Sequence, residues 1–79
     1  MYIHIGLEIL INFKDIIAIL NIQGPELPLA TREFLEIARS EKQIKGCSPK
    51  VAKSSVITDE AVFYSKISAA TLLKRSNIG

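Results

Sequence analysis

Short alternating runs of hydrophobic and polar residues occupy the first twenty-two positions, a pattern typical of β-strands. The runs Tyr2–Gly6 and Glu8–Asn12 predict two short strands that meet near the glycine. After a polar corner at 13–15, the run Ile16–Ile22 is rich in β-branched residues and apolar on both faces. This composition favours a third strand, although a helix stays open for it. We expect a helix of the same chain to cover one face of this strand and a second subunit to cover the other.

The second half of the chain predicts a helix, a hairpin and a closing helix. A breaker-rich loop at 23–28 precedes apolar residues at helical spacing, with Pro28 or Thr31 as the start and Gly46 as the terminator. Two strand-like runs, at 54–58 and 61–65, meet at the polar tip Asp59-Glu60 and predict a hairpin. Ser65 or Ser68 can cap the helix that follows, through 69–73.

These elements give the order β-β-β-α-β-β-α, which predicts the α+β class: a small mixed or antiparallel sheet of about five short strands with two helices. The 79 residues make one domain, 1–79, near the lower size limit for independent folding. One cysteine excludes an internal disulfide, so oligomerisation is the remaining stabiliser, and a hydrophobic content of 48% agrees with it. The predicted domain therefore combines binding to a partner with self-association.

Positive charge is concentrated between Lys42 and Lys53, where four lysines and no carboxylate give a local charge of +4 within a chain of net charge +2. Such a run has two interpretations. It is either a solvated loop that aids solubility or a contact surface for phosphates, which lysine binds as a point charge. Lys66, Lys74 and Arg75 keep the end of the chain basic as well.

Catalytic and metal chemistry have no evident basis in the sequence, so we expect no enzyme activity, no cofactor, no metal and no small-molecule substrate. His4 lies in an apolar strand and is interpreted as a packed or interface residue, and Cys47 as an incidental thiol. The adjacent acids of the hairpin tip fit a turn better than an acid–base pair. Tyr2 and Tyr64 sit in apolar strands and are expected in the core or in a subunit contact.

The apolar N-terminal third is interrupted by charges well short of the ~20 apolar residues that a membrane span requires. It also lacks the basic start and the small-residue cleavage site of a signal peptide. We therefore expect a cytoplasmic protein without a membrane partner.

Several stretches, taken together and in order, resemble the Rem family of bacterial extracellular matrix regulators, and the RemB type most. The stretches that carry the resemblance are Tyr2–Gly6, Lys14–Ile19, Glu33–Leu35, Val62–Ser65 and Thr71–Arg75. The resemblance implies a ring-shaped homo-oligomer that binds double-stranded DNA and activates the transcription of matrix and biofilm genes.

The resemblance also implies where DNA would be contacted. It places a basic residue, Lys14, at the corner before the long strand, and Lys50 and Lys53 in the loop between helix and hairpin, with Lys45 as a further candidate. RemA-type relatives carry an arginine pair in that loop, whereas this chain has spaced lysines. Because lysine does not read bases bidentately, phosphate contacts are expected more than sequence readout. The alternative is an oligomeric scaffold that binds other proteins through its apolar strands.

Overall fold

The computed structural model describes residues 1–24 and 27–76, which form six strands, two α-helices and one 3-10 turn. The elements in chain order are β1 (Tyr2–His4), β2 (Leu10–Asn12), the 3-10 turn (Phe13–Asp15), β3 (Ile16–Asn21), α1 (Leu29–Glu41), β4 (Gln43–Gly46), β5 (Ser54–Thr58), β6 (Ala61–Ser65) and α2 (Ala69–Ser76). The mixed α+β class predicted from the sequence is confirmed.

A four-stranded sheet with the order β3-β5-β6-β4 forms the centre of the fold. The hairpin β5–β6 provides its two middle strands, and every residue of β5 is buried. β3 pairs antiparallel with β5, while β4 pairs parallel with β6. β3 and β4 are therefore the two edge strands.

Two apolar layers cover the sheet, one on each face. On one face, α1 contributes Leu35 and Ala38 to a cluster with Ile57, Val62 and Tyr64. On the other face, the β1–β2 hairpin and α2 enclose a second cluster, which consists of Ile3, Ile5, Ile11, Val56 and Leu72. Ser65 Oγ donates to the Ile5 carbonyl at 2.7 Å and ties the N-terminal hairpin to the sheet.

The packing of β3 involves both of its faces. Ile16 and Ile19 pack on the cluster beneath the N-terminal hairpin, and Ala18 and Leu20 pack on the α1 side. Both faces of β3 thus contact apolar residues of this chain, although the strand is at most half-buried. The covering of one face by a second subunit stays a prediction. The outer edge of β3 is not paired with another strand within the described residues. The register of β3 shifts between Ile16 and Ala18 and leaves Ile17 exposed.

β4 was missed, and the role assigned to Gly46 changes with it. α1 ends at Glu41, and after Lys42 the four residues Gln43–Gly46 form a strand, whose last residue has a φ of +93°. The glycine is required here because a Cβ atom would lie 2.2 Å from the Tyr64 carbonyl oxygen of β6. Gly46 therefore allows close strand pairing and does not terminate the helix.

The other boundaries agree in part with the sequence pattern, because β1 and β2 have three residues each where five were predicted. The hairpin β5–β6 has the predicted bounds, and Ser68 caps α2 by accepting a hydrogen bond from Thr71 N at 3.2 Å. α1 begins directly after Pro28, and the middle of the predicted loop, positions 25 and 26, lies outside the described residues. Neither helix described has the length and hydrophobicity needed to cross a membrane.

Candidate nucleic-acid interface

The basic loop between β4 and β5, residues 47–53, is fixed at both ends by main-chain hydrogen bonds. Cys47 N donates to the Tyr64 carbonyl at 3.0 Å, and Lys53 N donates to the Ser65 carbonyl at 2.7 Å. Ile22 N donates to the Lys53 carbonyl at 3.2 Å, so the end of β3 holds the same point from the other side. The loop is therefore hydrogen-bonded to β6 and to the residue that follows β3.

Side chains within the loop divide into an inner and an outer set. Cys47 and Ala52 are half-buried and pack against the core cluster under α1. A turn closes between them, in which Val51 N donates to the Ser48 carbonyl at 3.1 Å. Lys50 and Lys53 are exposed. Only Cys47 and Ala52 thus pack inward, while Val51 is exposed with the two lysines. The two inward residues fix the backbone under two solvated ammonium groups.

Lys66 joins Lys53 at this end of the sheet. Ser54 pairs with Ser65 in the antiparallel register, so the next residues outward, Lys53 and Lys66, lie opposite each other. Both are exposed. Lys66 could be identified from the register of the β5–β6 hairpin, because that register places Lys53 and Lys66 side by side although they are thirteen residues apart in the chain. Lys50, Lys53 and Lys66 are called the loop-end cluster below.

Lys14 lies at the other end of the sheet. It belongs to the 3-10 turn, where its main-chain N donates to Asn12 Oδ1 at 3.0 Å. The following residues enter β3 opposite Thr58, at the tip of the β5–β6 hairpin. The length of β5 separates this tip from the loop-end cluster by about 15 Å at the ~3.3 Å rise of a strand residue. The structure does not bring Lys14 together with Lys50 and Lys53.

Lys45 faces a mixed environment. It lies on β4 opposite Phe63 and lines a cleft of about 450 Å³ together with Asp15, Asp59 and Glu60. Lys42, the residue directly before β4, donates from Nζ to the Asp59 carbonyl at 2.7 Å. The run of four lysines is therefore divided, because Lys42 and Lys45 lie beside the acidic hairpin tip and only Lys50 and Lys53 belong to the loop.

The remaining candidate residues have structural positions. Tyr64 is buried, as expected of a core residue, whereas Tyr2 is exposed and lies outside the core. His4 is exposed as well, so it is not packed within this chain, and its place in an interface stays a prediction. Its carbonyl accepts a hydrogen bond from Arg75 Nη1 at 2.6 Å. Cys47 is a free thiol. Within the described residues, no three His, Cys, Asp or Glu side chains are grouped so that they could hold a metal ion.

Comparison with known proteins places the chain in a family. The profile of the RemA-like family, described as "Extracellular matrix regulatory protein A-like", matches residues 2–75. The chain is also similar to the extracellular matrix regulatory protein B of Bacillus subtilis (strain 168), with 34% identity over 79 aligned residues that cover 96% of this chain and 90% of the relative. The match spans all of the strands and nearly all of α2, so the resemblance seen in the sequence is confirmed. The chain belongs to the RemA-like family of extracellular matrix regulatory proteins.

Proposed function

We propose that this protein is a DNA-binding transcriptional regulator of extracellular matrix genes that acts as a ring-shaped homo-oligomer. The observation that carries the proposal is the loop-end cluster, in which exposed Lys50 and Lys53 belong to a loop hydrogen-bonded to β6 and to the residue after β3, and exposed Lys66 lies opposite Lys53. Membership of a family of matrix regulators supports a role in gene control.

Phosphate binding by such a cluster follows from simple electrostatics. Each lysine that neutralises a phosphate releases condensed counterions, so the affinity falls as the salt concentration rises. The anchored loop base limits the backbone entropy that is lost on binding, which favours contact. Three cations from one subunit bind DNA weakly, but copies linked in an oligomer raise the local concentration of binding sites and so increase the overall affinity.

The other predicted contacts have less support from the geometry. Lys14 is a separate contact at the opposite end of the sheet, where it would meet a different stretch of the nucleic acid. Lys45 stands beside three carboxylates, which lower the local potential that a phosphate would experience. We therefore assign the principal contacts to Lys50 and Lys53, with Lys66 as an addition to the predicted set.

A charge-reversal experiment tests this assignment. The double variant Lys50→Glu/Lys53→Glu is compared with Arg32→Glu/Lys74→Glu, which changes the net charge by the same amount at exposed positions outside the predicted contacts. Fluorescence anisotropy with a matrix-gene promoter fragment is measured at several salt concentrations. We expect the loop variant to lose binding and the slope of log K against log salt to fall by about 0.9 for each phosphate contact removed.

Two outcomes of this experiment are decisive. Unchanged binding in the loop variant would contradict the assignment of the site. An equal loss in the two variants would show a general charge effect and would also contradict it. The oligomeric state of both variants is measured alongside by light scattering, so that loss of the ring is not mistaken for loss of the contact.

A protein-interaction scaffold is the second candidate, and the exposed apolar side chains of α1 and of the edge strands favour it. Neither function requires catalysis, and we propose a non-enzymatic role for this chain. A titration with DNA at low salt separates the two candidates. Absence of binding at high protein concentration would favour the scaffold.

A further inference from the structure

The tip of the β1–β2 hairpin combines an unfavourable backbone conformation with an exposed apolar side chain. Ile9 N donates to the Gly6 carbonyl at 2.9 Å and closes a two-residue turn, whose central residues Leu7 and Glu8 have φ values of 53° and 60°. Such turns favour Asn-Gly, because most other side chains are disfavoured at positive φ. Leu7 is 64% exposed, so burial does not offset this strain. Backbone strain of this kind is typical of functional sites.

The tip lies at the same end of the sheet as the loop-end cluster. A Cβ atom added to Gly6 would lie 3.9 Å from Ile67 Cδ1, and Ile67 directly follows Lys66 in the chain. Lys66 in turn lies opposite Lys53 in the register of the β5–β6 hairpin. The apolar tip and two of the three cluster lysines are therefore close neighbours at one end of the molecule.

Two buried serines hold the tip at this place. Ser65 Oγ donates to the Ile5 carbonyl at 2.7 Å and accepts from Ile67 N at 3.0 Å. Ser54 Oγ donates to the Ile67 carbonyl at 2.7 Å. Because these bonds join the residues on both sides of Lys66 to the base of the tip, the tip and the lysine have a fixed relative position. A surface that is preorganised in this way loses little entropy on binding.

The two side chains of the tip match base edges in the major groove of DNA. This groove admits a two-stranded β-ribbon and presents thymine methyl groups and cytosine N4 amino groups. Leu7 offers an apolar contact for a methyl group, and Glu8, which is also exposed, offers a carboxylate that can accept from an amino group. The lysines of the loop-end cluster bind phosphates, which position a protein but do not specify sequence. The tip therefore supplies the base contacts that the cluster lacks.

The negative charge of Glu8 makes this contact selective. A carboxylate at the same end as three lysines repels the phosphates that the lysines attract, so it weakens binding to DNA of any sequence. A cytosine amino group that meets the carboxylate compensates for this repulsion. The same side chain thus favours one sequence and disfavours others, which is how specificity is commonly achieved.

We propose that the tip of the β1–β2 hairpin reads DNA sequence in the major groove. Leu7 contacts a thymine methyl group and Glu8 accepts from a cytosine amino group, while the loop-end cluster binds the flanking phosphates. This inference rests on the proposed function, because it requires binding to double-stranded DNA. It adds a source of sequence specificity that the spaced lysines do not provide.

Deoxyuridine substitution tests the contact of Leu7. A matrix-gene promoter fragment in which deoxyuridine replaces every thymidine keeps its phosphates and base pairing and lacks only the methyl groups. We expect the original chain to bind this fragment roughly tenfold more weakly than the unmodified one. Leu7→Ala is expected to bind both fragments with the same reduced affinity, because its contact is already lost. Equal binding of the two fragments by the original chain, or an undiminished preference for thymine in Leu7→Ala, would overturn the proposal.

The role of Glu8 is tested with a scrambled fragment of the same length and composition. Glu8→Ala removes the repulsion and the acceptor, so we expect tighter binding to scrambled DNA and a roughly tenfold lower ratio of promoter to scrambled affinity. Lys66→Gln is the matched control, because loss of a phosphate contact weakens binding to both fragments by the same factor and leaves the ratio unchanged. An unchanged ratio in Glu8→Ala would contradict the assigned base contact.

A turn variant separates recognition from folding. Leu7→Asn/Glu8→Gly introduces the pair that this turn favours, so it is expected to raise the midpoint of urea unfolding and yet to lose the preference for the promoter fragment. Light scattering is expected to give the same mass for all variants and the original chain. A changed mass would assign the tip to a subunit contact and overturn the proposal. An original chain that binds both fragments equally contradicts this inference alone, whereas one that binds neither contradicts the proposed function as well.

Discussion

Replacing Gly46 by alanine tests the structural account of β4 directly. The glycine ends the edge strand with a φ of +93°, and an added Cβ would lie 2.2 Å from the carbonyl oxygen and 2.9 Å from the nitrogen of Tyr64. These are main-chain atoms of the central strand β6, which cannot move aside as a flexible side chain can. We expect Gly46→Ala to separate the end of β4 from β6.

The magnitude has two parts. A side chain in this region of φ costs about 1–3 kcal/mol. Separating the strand end also removes the hydrogen bond from Cys47 N to the Tyr64 carbonyl and its neighbour in the ladder, at roughly 0.5–1.5 kcal/mol each. The total is about 2–6 kcal/mol, and each kcal/mol lowers Tm by roughly 4–8 °C for a chain of this size.

Gly24 supplies the matched control. Its φ is +106°, but no described atom lies within 4 Å of an added Cβ. Gly24→Ala therefore carries the backbone strain without the collision, and it should be more stable than Gly46→Ala by about 2 kcal/mol. Urea unfolding at two protein concentrations measures both. A difference below about 0.5 kcal/mol would refute the close approach of β4 to β6.

Two further predictions concern the hairpins and the core. Glu8 is exposed and has a φ of 60°, so Glu8→Gly should raise the free energy of unfolding by about 1 kcal/mol. Glu60→Gly, at the tip of the other hairpin, should not raise it, because φ is not positive there. The midpoints of urea unfolding compare the two variants. Ser55 Oγ is buried without a hydrogen-bond partner among the described residues, so Ser55→Ala should stabilise by about 1 kcal/mol. Its neighbour Ser54 donates from Oγ to the Ile67 carbonyl at 2.7 Å, so Ser54→Ala should destabilise the protein by about the same amount. Equal effects of Ser55→Ala and Ser54→Ala in thermal unfolding would contradict the assigned hydrogen bonds.

The local sequence pattern was sufficient to predict strands that are joined by a short turn. The β5–β6 hairpin was predicted with its bounds because Asp59-Glu60 separates two alternating runs. β4 was missed because it has four residues and pairs in parallel with a strand eighteen residues further on, so no local turn indicates it. Gly46 was misassigned for a related reason, since glycine serves equally at the end of a helix and where two backbones approach closely.

The candidate site was predicted in the same partial way. The sequence indicates that Lys50 and Lys53 lie in a loop, because the residues around Pro49 cannot continue a helix. It does not show that Lys66 comes opposite Lys53, which depends on the register of the hairpin. It also does not show that Lys14 lies at the far end of the sheet or that Lys45 faces carboxylates, since both follow from the order of the strands.

The cluster beneath the N-terminal hairpin joins segments that lie far apart in the chain, and this arrangement determines when it can form. Ile3 and Ile5 are synthesised well before Leu72 and Arg75, which contact this layer from α2. A two-stranded hairpin alone is at best marginally stable in water. These isoleucines therefore stay uncovered until the segment that forms α2 has been synthesised, and during that time they are exposed to chaperones that bind apolar segments.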